Sequence, residues 1–142
     1  MRFMIVVKAT RDSEAGVMPT EDMLEKMAAY HEELAKAGVL VDASGLQATS
    51  KGWRVEYRGN HRSVVDGPFA ETKELIAGYT IIRVNSEAEA REWTRKFPNP
   101  ALDGGNCMIE VRRMFDLEDF GPSEAVQRFR EIPGNGRPAP TT

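Results

Sequence analysis

Five apolar residues in a row, Phe3-Met4-Ile5-Val6-Val7, stand between Arg2 and Lys8. A run of strand length, closed by charge at both ends, predicts a strand buried on both faces. Residues 10–19 lose that pattern, and Asp12, Ser13, Gly16 and Pro19 predict a loop. From Thr20, a helix N-cap followed by Glu21 and Asp22, the period becomes helical. Met23, Met27, Tyr30, Leu34 and Ala37 form one stripe; Leu24, Ala28, His31 and Ala35 form the stripe beside it. Gly38 ends the helix. A second strand starts at Val39–Val41 and breaks at Ser44-Gly45. Trp53, Val55 and Tyr57 then alternate with Arg54, Glu56 and Arg58, the pattern of a half-buried strand. Gly59-Asn60 supplies a hairpin turn, and residues 61–65 return antiparallel. Residues 78–84 predict another strand, and Ser86 to Glu89 a capping box that opens a second helix. Ala90, Trp93 and Phe97 are its inner stripe, and Pro98 and Pro100 stop it. Residues 107–113 predict the last strand, with Cys107, Ile109 and Val111 on one face. The order β-α-β, hairpin, β-α-β predicts an α+β sandwich of ferredoxin-like type. Beyond residue 115 a short helical extension is expected over 116–132, with Val126 and Phe129 as its apolar contacts. The Pro- and Gly-rich tail 133–142 is expected to be disordered.

The totals fit one such domain. The chain has 142 residues, a formal net charge of -3 and 29% charged residues, so nothing suggests an electrostatic grip on nucleic acid. Cys107 is the single cysteine, which excludes an internal disulfide and a cysteine-rich zinc site, and makes the cytoplasm the expected compartment. No apolar run reaches membrane length. His31 and His61 are the only histidines and have no ligand spacing around them, so no metal and no cofactor are expected.

Residues 66–74, Asp-Gly-Pro-Phe-Ala-Glu-Thr-Lys-Glu, combine a Gly-Pro turn with one aromatic and charges of both signs. This run, followed by Leu75-Ile76-Ala77-Gly78-Tyr79, resembles the signature of the DGPFAETKE branch of the YCII-related proteins. The run from Tyr30 to Leu40 resembles that family's first helix and its exit. The resemblance covers residues 1–115. It implies a ferredoxin-like unit that pairs into a dimeric α+β barrel, and it fixes no single reaction.

Independently, helices on one face of a sheet leave its other face open, and Trp53, Tyr57, Tyr79 and Phe69 are large groups to leave wet, so a homodimer is expected. A small-molecule site would lie between sheet and helix or between protomers. His31 is the candidate acid/base, set against a helix-flank histidine that only satisfies a carbonyl. Asp66 is its candidate partner, set against a residue that merely opens the turn. The resemblance strengthens both and leaves open whether Asp42 takes the place of Asp66. Phe69, Glu71, Lys73 and Tyr79 are the candidate substrate contacts, with Glu71 and Lys73 also readable as a solvated pair. Arg54, Arg58 and Arg62 form an anion patch or protect a strand edge. Cys107 reads as core. Two functions follow: a cofactor-independent isomerase or lyase that moves a proton with His31 and Asp66, or a non-catalytic dimer that binds a metabolite or protein, for which the resemblance implies a link to transcription regulation.

Overall fold

The computed structural model describes residues 1–71 and 73–134. In chain order it contains β1 (Arg2–Lys8), α1 (Arg11–Glu14), α2 (Glu21–Lys36), β2 (Leu40–Gly45), β3 (Trp53–Arg58), β4 (His61–Asp66), β5 (Ile76–Arg83), α3 (Glu87–Arg95), β6 (Ile109–Arg113) and α4 (Glu124–Glu131), with 3-10 turns at Thr49–Lys51 and Leu117–Phe120. Strands β2-β5-β1-β6 form one antiparallel sheet in that order, and β3-β4 form a separate two-stranded ribbon. This is an α+β fold with the split β-α-β connectivity of ferredoxin-like units.

The core lies on one face of the sheet. Phe3, Ile5 and Ile82 point to Tyr30 and Leu34 of α2 and Ala90 of α3, with Val39 and Val84 closing the layer and Trp93 and Phe97 packed against it. Alternation within strands then puts Met4, Val6, Tyr79 and Ile81 on the opposite, helix-free face. Strand β1 is therefore not uniformly buried: Phe3, Ile5 and Val6 are buried, while Met4 and Val7 are half-exposed. The second helical stripe of α2 also behaves differently from the expectation. Leu24, Ala28 and Ala35 are exposed, and only His31 is partly covered, because the helix lies on the sheet along the Tyr30–Leu34 line.

Local chemistry sets the ends. Thr20 accepts from the Met23 N–H at the start of α2, and Gly38 leaves the helix at φ 73°. At α3, Ser86 accepts from the Glu89 N–H, while the Glu89 carboxylate reaches back to the Asn85 N–H rather than to that of Ser86. The stretch expected as plain loop holds α1, because Thr10 and Ser13 cap each other reciprocally. Cys107 lies before β6, half-exposed, and does not belong to the strand.

The largest departure is the hairpin. Every position of β3 and β4 is exposed, including Trp53 at 66% and Tyr57 at 65%. The alternation predicts a half-buried strand, but a ribbon detached from the main sheet has no layer of its own chain to cover either face. Helix α4 likewise buries no residue. The expected disordered tail lies outside the described residues except for Pro133 and Gly134.

Candidate functional site

The DGPF loop, which follows β4, is tied down at several points. Glu14, the last residue of α1, accepts from the Thr49 N–H at 3.1 Å and from the Thr49 hydroxyl at 2.5 Å. The same hydroxyl oxygen accepts from the Phe69 N–H at 3.0 Å. A carboxylate far back in the chain thus fixes the loop through one threonine. The Gly67 N–H donates to the Gly52 carbonyl at 3.0 Å. A Cβ on Gly67 would collide with the Thr49 carbonyl oxygen, so this approach requires glycine. The Gly67–Pro68 peptide bond is cis.

Between this loop, the Thr49–Lys51 turn and the start of β5 lies a cleft of ≈ 460 Å³. Leu46, Trp53, Phe69, Leu75 and Ile76 give it apolar walls, and Lys51, Arg54 and Glu74 also line it. Arg54 sits 3.7 Å from the centroid of the Phe69 ring and 3.6 Å from a Glu71 oxygen. Both partners of that ion pair are about half-exposed, so it contributes at most about 1 kcal/mol, and the stack on Phe69 does as much to hold the guanidinium. Lys51 makes no ion pair among the described residues.

The structure does not bring His31 and Asp66 together within the protomer. His31 lies under the helix-covered face, with Nδ1 2.7 Å from the Met27 carbonyl oxygen and Nε2 2.8 Å from the Thr80 hydroxyl. Its ring also meets Tyr30 and Phe97 edge-on. Both nitrogens are satisfied if Nδ1 carries the proton and Thr80 donates to Nε2. Asp66 ends β4 opposite Trp53, is exposed, and forms no hydrogen bond or ion pair among the described residues. Asp42, the other acid considered for His31, faces the helix-free side and accepts from the Tyr79 hydroxyl at 3.0 Å. That hydrogen bond, together with the negative charge of Asp42, raises the Tyr79 pKa and keeps the phenol protonated.

Of the other candidates, Phe69 lines the cleft, Glu71 reaches it through Arg54, Lys73 is exposed beside it, and Tyr79 is on another face. Glu14 and Thr49 escape sequence reasoning, since 35 residues separate them. The one available signal is the Thr10–Ser13 capping pattern that places Glu14 at a helix end.

An antiparallel four-stranded sheet with helices on one face, a detached hairpin and a tethered loop define an α+β domain with a cleft beside the loop. The chain belongs to the YCII-related domain family, whose model matches residues 1–115. It is 30% identical over 92 residues to an uncharacterized protein of Rhizobium meliloti (strain 1021), an alignment spanning 65% of this chain and 73% of that protein. It is also similar to the solved structure of 5-chloro-2-hydroxyhydroquinone dehydrochlorinase from Burkholderia phenoliruptrix AC1100 in complex with 2,5-dihydroxybenzoquinone, with TM-score 0.44 and 16% identity over 81% of this chain and 94% of that one. Among the described residues no helix is long and apolar enough to cross a membrane, and no group of acids, histidines and cysteine could hold a metal ion.

Proposed function

We propose that this chain is a homodimeric binding protein for a small aromatic organic acid, and that the cleft beside the DGPF loop is its site. The lining of the cleft carries the reading: two aromatic rings and three aliphatic side chains stand next to Lys51 and Arg54. An aromatic ring would stack on Trp53 and Phe69. Its carboxylate would be taken by the Lys51 ammonium and by the guanidinium edge that Glu71 leaves free. The loop is pre-organised by Glu14 and Thr49, so little ordering entropy opposes binding. The helix-free face and the exposed hairpin aromatics support dimerisation. The alternative, proton transfer by His31 with Asp66, has less support, because both ring nitrogens of His31 already have partners and Asp66 stands elsewhere.

The test is a titration with benzoate-type carboxylates and their amides, followed by tryptophan fluorescence. The carboxylate is expected to quench Trp53 emission, with Trp93 as an unaffected background. Lys51→Gln should weaken its binding by about tenfold, as for the loss of one charge-assisted contact, and should leave binding of the amide unchanged. Equal binding of acid and amide by the unaltered protein, or no saturable binding of either, would overturn the reading.

A further inference from the structure

The charges that line the cleft beside the DGPF loop do not add up to an anion site alone. Its ionic lining is Lys51, Arg54 and Glu74. Arg54 lies 3.6 Å from a Glu71 oxygen and stacks on the Phe69 ring, so its charge is already balanced. Lys51 and Glu74 are what remains. Neither side chain makes a hydrogen bond or an ion pair among the described residues, and the two do not pair with each other. One cation and one anion therefore border the same cleft of ≈ 460 Å³, with a gap between them.

Both stand on backbone that is held in place. Lys51 closes the 3-10 turn, where its N–H donates to the Ala48 carbonyl at 2.9 Å, and Glu14 holds that turn through Thr49. Glu74 stands on the loop side. Its N–H donates to the Glu71 carbonyl at 2.8 Å, and the N–H of buried Leu75 donates to the same carbonyl at 3.2 Å. The Leu75 carbonyl accepts from the Ala9 N–H at 2.9 Å, which ties this wall to the end of β1.

A simple aromatic carboxylate satisfies Lys51 and leaves Glu74 as a second negative charge beside it. That acid then works against binding, as a built-in repulsion against the ligand. A ligand that carries an ammonium next to its carboxylate satisfies both ends at once. Leu46, Phe69 and Ile76, which share the lining, suit an apolar body on the same molecule.

We infer that the ligand of this cleft is a zwitterion, an aromatic α-amino acid. Lys51, beside Arg54, takes its carboxylate, Glu74 takes its ammonium, and the apolar walls take its ring. Glu74 is then the residue that sets specificity. The inference rests on the aromatic-acid reading of the cleft and narrows it.

Calorimetric titration of the unaltered protein with L-phenylalanine, 3-phenylpropionate and 2-phenylethylamine tests it, because the three share a ring and two-carbon stem and differ in the charges they carry. L-phenylalanine is expected to bind at least tenfold tighter than either of the others. Glu74→Gln should weaken L-phenylalanine about tenfold and strengthen 3-phenylpropionate, since the fixed anion attracts the ammonium of the first and repels the second. The Glu74 side chain is exposed and has no partner among the described residues, so the substitution leaves the fold intact. If L-phenylalanine binds no tighter than 3-phenylpropionate, or if Glu74→Gln weakens both alike, while benzoate is still preferred over its amide, the inference is overturned and the aromatic-acid site stands. If neither these ligands nor benzoate bind saturably, the aromatic-acid site is overturned and the inference with it.

Discussion

Thr49 is the residue on which the candidate site turns. Its hydroxyl donates to Glu14 and accepts from the Phe69 backbone, so one oxygen joins α1, the 3-10 turn and the DGPF loop. Thr49→Val keeps the shape and removes the oxygen. It takes one of two hydrogen bonds from the half-buried Glu14 carboxylate, which keeps the Thr49 N–H, and leaves the Phe69 N–H without its partner, at a cost of about 1 kcal/mol in denaturant unfolding. Ligand affinity in the cleft is expected to fall more than stability does, because the loop loses its fixed position; Thr49→Ser should restore both. A valine variant that binds as tightly as the unaltered protein would show that the relay does not position the loop. The motif itself was legible in the sequence, since Gly-Pro and a cluster of charges mark residues 66–74 as more than a turn. The tether was not, because it joins residues distant along the chain through a short polar side chain that shows no periodicity.

At the scale of elements, α2 and α3 are held over the sheet by apolar packing, α2 is linked to β5 through His31 and Thr80, and the two helices are linked by the Tyr30 hydroxyl, which donates to the Trp93 carbonyl at 2.6 Å. Burial, with a smaller contribution from the negative charge of Glu33, pushes the Tyr30 pKa up to about 12 from its ordinary 10.0. Between those values the folded chain keeps a proton that the unfolded chain has lost. Stability from this group is therefore complete below about pH 10 and declines as pH rises towards about 12, by roughly 2–3 kcal/mol. Denaturant unfolding followed across that range should show the loss, and Tyr30→Phe, less stable at neutral pH, should flatten it. An equal slope in both proteins would rule Tyr30 out as the cause. The helices and the core strands were legible because each buries a single stripe or face, which the 3.6- and 2-residue periods record: Tyr30 and Leu34, Phe3 and Ile5. The hairpin misled for the same reason. Its alternation is real, but the pattern records a surface suited to burial and does not say which chain buries it. His31 misled more subtly. Its place beside the apolar stripe is correct, and the stripe leads it to Thr80 on the helix-covered face, away from Asp66 on the ribbon.

At the scale of the whole molecule, the helix-free face is the part that the single chain leaves unfinished. Ile81 stands near its middle on β5, paired with Met4 on one side and Asp42 on the other, and its side chain points away from the core that Ile82 joins on the opposite face. A charge at position 81 therefore leaves the interior of the monomer untouched. In a face-to-face dimer it enters the interface, and the two-fold makes the insult occur twice. Ile81→Lys should convert the protein to a monomer at micromolar concentration, because desolvating the ammonium together with the Asp42 carboxylate beside it costs several kcal/mol and bringing the two copies' lysines near each other adds repulsion. The far-UV circular dichroism should stay unchanged, and thermal unfolding should lose the concentration dependence that a dimer imposes. Light scattering reads the result directly. A lysine variant that remains dimeric would place the contact elsewhere, on the hairpin alone or on the helices, and the helix-free face would then have to be open to solvent or to a different partner.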